Sequence, residues 1–285
     1  MKKLGITTDC VCDLPEDFLK ANDVGIVYFY ITTDTGSFSD GYAITSENLL
    51  EYLEEGGVKA ETFAPSAEEY RDFYEESLKQ FDEIIHIAIS SQIGISYGNA
   101  QSAVKLMGEN GRRVTVIDSQ HLSTGMGHMV LKAVEMRDSG SSATEIAEAL
   151  NAMRDRISST FITQNADHLY RNGRVSKFVK KLTGFLWIHP VLGIKKGRMV
   201  LKTVRIGQYE DAAMRYVRGE LKRSAQIDRR RLFITHAGCS VKMIAQIKAE
   251  AERLCKFDEM IVTKASATVS SNCGPGTVGV LFVRK

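Results

Sequence analysis

The chain has 285 residues, 44% of them hydrophobic and 25% charged, with a formal net charge of +2. That length admits one large domain or two smaller ones, and the near-neutral charge gives no electrostatic case for binding nucleic acid. The N-terminal apolar stretch turns polar at Thr7, too early for a signal peptide, and no run is long enough to span a membrane. Five scattered cysteines fit reduced thiols, and none has metal-ligand spacing to another or to a histidine. A cytoplasmic protein with no stable membrane insertion, no metal and no cofactor is expected.

In chain order, Leu4 to Thr8 reads as a strand. Asp13-Leu14-Pro15-Glu16 reads as a helix start, with Asp13 free to cap and Pro15 tolerated in the first turn. Gly25 to Ile31 is an apolar, aromatic strand, and Thr33 to Tyr42 a loop or hairpin rich in Gly, Ser, Asp and Thr. Ser66 and Glu69 make a capping box that opens a helix running to about Gln80. Glu83 to Ser90 is a short apolar run of the kind buried in a parallel sheet. A helix over Tyr97 to Met107, a strand over Val114 to Ile117 and a helix over Thr124 to Arg137 follow. This alternation implies right-handed βαβ units.

After a turn at Ser139 to Ser142 comes a helix over Ala143 to Arg156. Ser158 and Ser159 mark the expected boundary between a domain over residues 1–158 and a second over 159–285. The second half offers strands at Phe161 to Thr163, Val191 to Ile194, Met199 to Val204, Leu232 to Thr235, Met260 to Thr263 and Val278 to Val283. Gly193 to Arg198 looks like a hairpin turn, and Asp211 to Arg223 and Val241 to Cys255 read as helices. Arg229-Arg230-Arg231 directly precedes an apolar run and reads as a solvated strand entry. The fold class is α/β: an N-terminal parallel-sheet α/β/α domain and a C-terminal α/β domain with a mixed sheet.

Ligands of open parallel sheets bind beyond the carboxyl ends of the strands. Here three such ends are rich in small and hydroxyl residues: Thr7 to Asp13, Ser90 to Ser96 and Asp118 to Gly125. Each leads into a helix whose first N–H groups favour an anion. Thr62 to Ser66 brings a hydroxyl to another helix start. For any one of these loops simple helix capping is the better reading; the three together put a ligand site on an equal footing with it. Gly274 to Gly279 matches G-x-G-x-x-G in letters but runs into a strand with no helix, which excludes a dinucleotide site. His86 reads as a core histidine, His236 as rim or core, and Asp9 and Asp13 as loop braces in preference to an acid/base pair.

Eight segments in order resemble the DegV family of bacterial fatty-acid-binding proteins. Thr7 to Pro15 resembles its T-D-S-x-x-D-L-P, Asp40-Gly41 its D-G, and Thr62 to Ser66 its T-S-Q-P-S. Ser90 to Tyr97 resembles S-S-x-L-S-G-T-Y, and Val116 to Ser119 with Gly125 to Gly127 resembles V-x-D-S and the small-residue helix after it. Leu169 to Ser176 resembles L-x-x-G-G-R-I-S, His189 to Leu192 resembles K-P-I-L, and Asn272 to Gly279 resembles H-x-G-P-G-T-V-G.

The resemblance implies a two-domain protein with a long-chain fatty acid in an interdomain tunnel. It also implies a dihydroxyacetone-kinase-like fatty acid kinase as a separate partner that phosphorylates the carboxylate, so that this chain is not itself an enzyme. The head group would be held by Thr62 and by the turn Ser91, Gly94, Ile95 and Ser96, with Arg174 and Asn272 beside it. Gly94 stands where the family has an anchoring Ser, and Asn272 where it has His. Candidate tail-lining residues are Phe29, Ile93, Ile95, Met126, Met129 and Phe161. Two other readings stay open: a small enzyme on an anionic metabolite, using Asp9, Ser91 and Arg174, and a lipid-responsive regulatory module.

Overall fold

The computed structural model describes residues 3–56, 60–183, 187–222 and 224–285. The first half runs β1 (Leu4–Asp9), α1 (Glu16–Ala21), β2 (Val24–Val27), β3 (Tyr30–Thr33), β4 (Gly36–Ser39), α2 (Ser46–Glu54), β5 (Glu61–Phe63), α3 (Ala67–Ser77), β6 (Glu83–Ala88), α4 (Ser96–Leu106), β7 (Val114–Asp118), α5 (Ser123–Asp138) and α6 (Ala143–Arg154). The second runs β8 (Ile157–Ile162), α7 (Asp167–Arg171), α8 (Lys177–Thr183), β9 (Ile188–Lys195), β10 (Arg198–Ile206), α9 (Tyr209–Leu221), β11 (Ile227–Ala237), α10 (Val241–Leu254), β12 (Glu259–Lys264), α11 (Ala267–Cys273) and β13 (Thr277–Arg284).

Strands β2-β1-β6-β7 form an all-parallel sheet. Its centre, β1 and β6, is buried on both faces, as the continuous apolar run of β6 requires. Helices α3 and α4 cover one face through Tyr70, Tyr74, Ala100 and Ala103. Helices α5 and α6 cover the other through Met126, Met129, Val130, Ile146 and Leu150. The second half forms a six-stranded mixed sheet, β10-β9-β8-β13-β11-β12, in which only the β11–β12 pair is parallel. Helices α9 and α10 pack on its outer face. The two sheets share one helix. α5 is buried on nearly every side, and its cluster joins Ile85 and Ile87 of the first sheet to Phe233, Leu281 and Val283 of the second. Glycine makes this approach possible: a Cβ at Gly125 would lie 2.1 Å from Ser159 Oγ, and one at Gly127 would lie 2.9 Å from Leu14 Cδ2.

A small antiparallel sheet, β4-β3-β5, interrupts the first domain. The single strand expected over Gly25 to Ile31 is therefore two strands, because the chain changes sheets at Tyr28-Phe29. The hairpin expected after it is present as β3–β4, and the one at Gly193 to Arg198 as β9–β10. Ser66 and Glu69 form the expected reciprocal capping box of α3. Asp13 does not cap α1: Pro15 occupies the cap, and Asp13 adopts φ 52° with its carboxylate turned elsewhere. Ser158 and Ser159 lie inside β8, both buried. Arg230 pairs with Asp228 within β11, and Arg231 with Glu259 of the neighbouring β12. No helix of the described residues is long and apolar enough to cross a membrane, and none of their His, Cys, Asp and Glu side chains form a metal-holding cluster.

Candidate functional site

Between the two sheets lies a cavity of about 380 Å³, within the usual range for small-molecule sites. Its lining is mostly apolar. One wall is α11 and the residues leading into it. Ala265, Thr268, Val269, Asn272 and Cys273 all line the cavity, and their spacing of three and four places them on one helical face. A second wall comes from β13, where Thr277, Gly279 and Leu281 alternate onto the same face. Phe161 of β8 and Met199 of β10 add to it. From the first domain come Val11, Phe29, Ile89, Ile93 and Leu122, at or near the strand ends of the parallel sheet. Thr62 enters from β5, held in register opposite Ile31.

One part of this apolar space is polar and charged. Arg174 sits in the turn between α7 and α8, half-buried. Its Nε donates to Asn272 Oδ1 at 3.1 Å, and its Nη1 donates to the Ile93 carbonyl. Asn272 Nδ2 donates to the Thr268 carbonyl at 2.8 Å and reaches Thr62 Oγ1 at 3.5 Å. Thr62, Arg174 and Asn272 therefore form one connected cluster, and the turn of Ile93, Gly94 and Ile95 adjoins it. Both acceptors on Arg174 are neutral, and none of the ion pairs among the described residues includes it. Burial pushes its pKa below the usual arginine value, but a guanidinium stays charged. A half-buried cation without a counter-charge is costly and favours an anionic ligand.

Most of the other hydroxyls in the lining are already engaged, Thr268 Oγ1 being left without a hydrogen-bond partner. Ser159 Oγ meets His121 Nδ1 at 2.9 Å, Thr160 meets Tyr216 at 2.9 Å, and Thr235 bonds Thr124 and Thr263 at 2.7 and 2.8 Å. That part of the cavity presents carbon more than free polar groups, which suits a hydrocarbon.

The sequence-derived site residues separate into two groups. Thr62, Gly94, Ile95, Arg174 and Asn272 line the cavity, as do Phe29, Ile93 and Phe161. Ser91, Ser96, Met126 and Met129 do not. Ser91 is held by Asp118, through its Oγ at 2.6 Å and its N–H at 3.1 Å. Ser96 is fully buried and donates to Asp9 Oδ2 at 2.6 Å. Met126 and Met129 are fully buried in the core cluster around α5. Asp9 does not line the cavity either. Its carboxylate accepts from Ile89 N–H (2.8 Å), Ser96 and Tyr70 (2.5 Å), and Oδ1 lies 3.3 Å from His86 Nε2. Burial raises its pKa, but His86, Ser96 and Tyr70 together outweigh that and hold it below the usual carboxylate value. An Asp9–Ser91–Arg174 constellation is thus not assembled. His236 lines the cavity at its strand end, with burial and Lys264 lowering its pKa.

Sequence reasoning missed α11 as a wall. The 3-1-3-1 spacing of Ala265, Thr268, Val269, Asn272 and Cys273 was the available signal, masked by a sequence of poor helix formers. Phe63, which stands where the family motif has a polar residue, also lines the cavity and is 48% exposed.

A family model described as "Uncharacterised protein, DegV family" matches residues 3–285. A DegV domain-containing protein of Caldanaerobacter subterraneus is 30% identical over 286 residues, covering 100% of both chains. The structure of a DegV family protein from Thermus thermophilus, described for its fatty acid binding, superimposes with a TM-score of 0.87 at 26% identity, over 99% of this chain and 100% of that one. A stearic acid-binding protein from Eubacterium ventriosum has the same fold, with a TM-score of 0.86 at 23% identity, over 100% of this chain and 99% of that one. With a two-domain α/β fold, a family model spanning nearly its whole length and a full-length relative, the chain belongs to the DegV family.

Proposed function

We propose that this chain binds one long-chain fatty acid in the interdomain cavity, with the carboxylate at Thr62, Arg174 and Asn272 and the tail along α11 and β13. The observation that carries this reading is the unneutralised Arg174 guanidinium at one part of an otherwise apolar cavity. The fatty acid binding described for the Thermus thermophilus relative supports it. The energetics divide the work. A tail of about fourteen methylenes supplies on the order of 10 kcal/mol before ordering costs, and a charge-assisted hydrogen bond about 1.5–3 kcal/mol. The tail sets affinity and the head group sets orientation. The carboxylate beside the half-exposed turn of Gly94 and Ile95 is where a separate ATP-dependent kinase would reach it, so the chain acts as a binding and presenting protein.

The test is displacement of a fluorescent fatty acid by a long-chain acid and by its methyl ester, which has the same tail and no charge. The acid should compete about tenfold or more better, as loss of one charged hydrogen bond requires. Equal competition would remove the assigned role of Arg174, and no competition by either would remove the lipid reading.

A further inference from the structure

We propose that Ser90 is a positioning residue for the ligand carboxylate, a role that rests on the cavity being the fatty-acid site. Ser90 ties the β9–β10 hairpin to the turn that holds Arg174, so the head-group end of the cavity is complete only while the hairpin is seated. Ser90 lies just beyond β6, at the carboxyl end of the parallel sheet, and is fully buried. Its Oγ donates to the Gly197 carbonyl at the hairpin tip, at 2.7 Å, and accepts from the Gln92 N–H at 3.2 Å. Its carbonyl accepts from the Ile93 and Gly94 N–H groups at 2.9 and 3.1 Å. The Ile93 carbonyl in turn accepts from Arg174 Nη1. One buried serine therefore stands between a hairpin of the mixed sheet and the guanidinium that would meet the carboxylate.

The contact is shaped from both sides. Lys196 and Gly197 form the hairpin tip with φ 49° and 78°, positive at both positions of a two-residue loop. A Cβ at Gly197 would lie 2.7 Å from Ser90 Oγ and 3.2 Å from Gln92 Cγ, so only glycine lets the tip come this close. Arg198 Nε adds a bond to Gln92 Oε1 at 3.0 Å on the exposed side. Immediately behind the tip, Ile194 and Met199 pair in register, and both line the cavity. The hairpin thus forms part of the apolar wall and, through Ser90, braces the head-group turn. Arg174 is held by two acceptors, the Ile93 carbonyl and Asn272 Oδ1, and only the first belongs to that turn. Freeing the turn leaves the guanidinium fixed from one side. A binding group has to be held within about 0.5 Å of its productive position, so a turn released from the hairpin loses carboxylate recognition before it loses tail burial.

The experiment compares wild type, Ser90→Ala and Gly197→Ala in displacement of a fluorescent fatty acid by hexadecanoic acid and by its methyl ester. Ser90→Ala removes the bridging hydroxyl. Gly197→Ala pushes the tip away from an intact Ser90. In both variants the preference for acid over ester should fall about threefold or more from the wild-type value. In Ser90→Ala the ester's own affinity should stay within about twofold, because the ester has no carboxylate to orient. Hydrogen exchange at the Ile93 and Gly94 amides, read without any ligand, should be faster in both variants than in wild type. An unchanged preference, or equal losses for acid and ester, would overturn the positioning role and leave Ser90 as packing alone. So would a Gly197→Ala protein whose Ile93 and Gly94 amides stay as protected as in wild type. Should Ser90→Ala not fold, Gly197→Ala decides, since it leaves every side chain of the parallel sheet in place. If wild type binds neither acid nor ester, the exchange measurement still decides the coupling, and the lipid reading alone is lost.

Discussion

Arg174 reaches the cavity only because Gly173, at φ 68°, turns the chain after α7 and the Arg174 N–H closes onto the Leu169 carbonyl at 2.7 Å. Its neighbours complete the anion site. Thr62 Oγ1 accepts from Asn272, which leaves the hydroxyl hydrogen free to donate. Thr62→Val should therefore weaken fatty-acid binding by about 1–3 kcal/mol with an unchanged melting temperature; undiminished lipid occupancy would reduce Thr62 to a strand residue. Gly94 offers the opposite experiment. A Cβ there meets only Ile89 Cγ2, at 3.8 Å, so Gly94→Ser fits without strain. The added hydroxyl should tighten binding by about 1 kcal/mol in a fluorescent-fatty-acid competition assay, and weaker binding by a folded variant would mean that the pocket excludes it. Sequence motifs made Thr62, Arg174 and Asn272 legible as neighbours although they are far apart along the chain. They misplaced Ser91 and Ser96, because a hydroxyl at a helix start has no label saying whether it faces a ligand or a buried aspartate.

At the scale of elements, the alternation of apolar runs and capping signals made most strands and long helices readable. The failures have physical causes. Gly25 to Ile31 is apolar throughout, so nothing local marks the change of sheet at Tyr28-Phe29. α11 reads Ala-Thr-Val-Ser-Ser-Asn-Cys, rich in β-branched and polar residues that favour other conformations. It is helical because Asp13 and Asp40, distant in sequence, satisfy its first N–H groups. Asp9 plays the corresponding part in the first domain. It ties the end of β1 to β6 through Ile89, to α4 through Ser96 and to α3 through Tyr70. Removing it strands buried donors and His86, so Asp9→Ala should lose about 3–5 kcal/mol of stability in a denaturant titration; a loss below about 1 kcal/mol would show that the network is dispensable. The sign of its pH dependence is fixed. Its pKa is lower folded than unfolded, so its contribution is complete above the unfolded value and is lost as pH falls through the folded one. Acid unfolding of Asp9→Asn should accordingly be less steep than that of wild type.

For the whole molecule, one helix shared by two sheets explains why a cavity exists where it does. α5 fills the interface on its side, and Gly125 and Gly127 bring the sheets' connections close. Beyond the start of α5, the strand-end loops of the parallel sheet face the mixed sheet across a space walled also by β5, α11 and the turn of Arg174. The space left between them is apolar, with one cationic cluster. Alternating βαβ units in the first half foretold the parallel sheet, and the less regular strands and helices of the second half the mixed one. They could not foretell the shared helix, because a helix buried by one sheet and a helix buried by two differ only in how far their apolar surface extends around the circumference. The central claim is that this space holds a free long-chain acid. Mass spectrometry of an organic extract of the purified protein tests it most directly. The account predicts close to one free fatty acid of about fourteen to eighteen carbons per chain, lost from a variant in which Arg174→Glu places a negative charge beside the carboxylate. An extract without fatty acid, or equal occupancy in that variant, would contradict it.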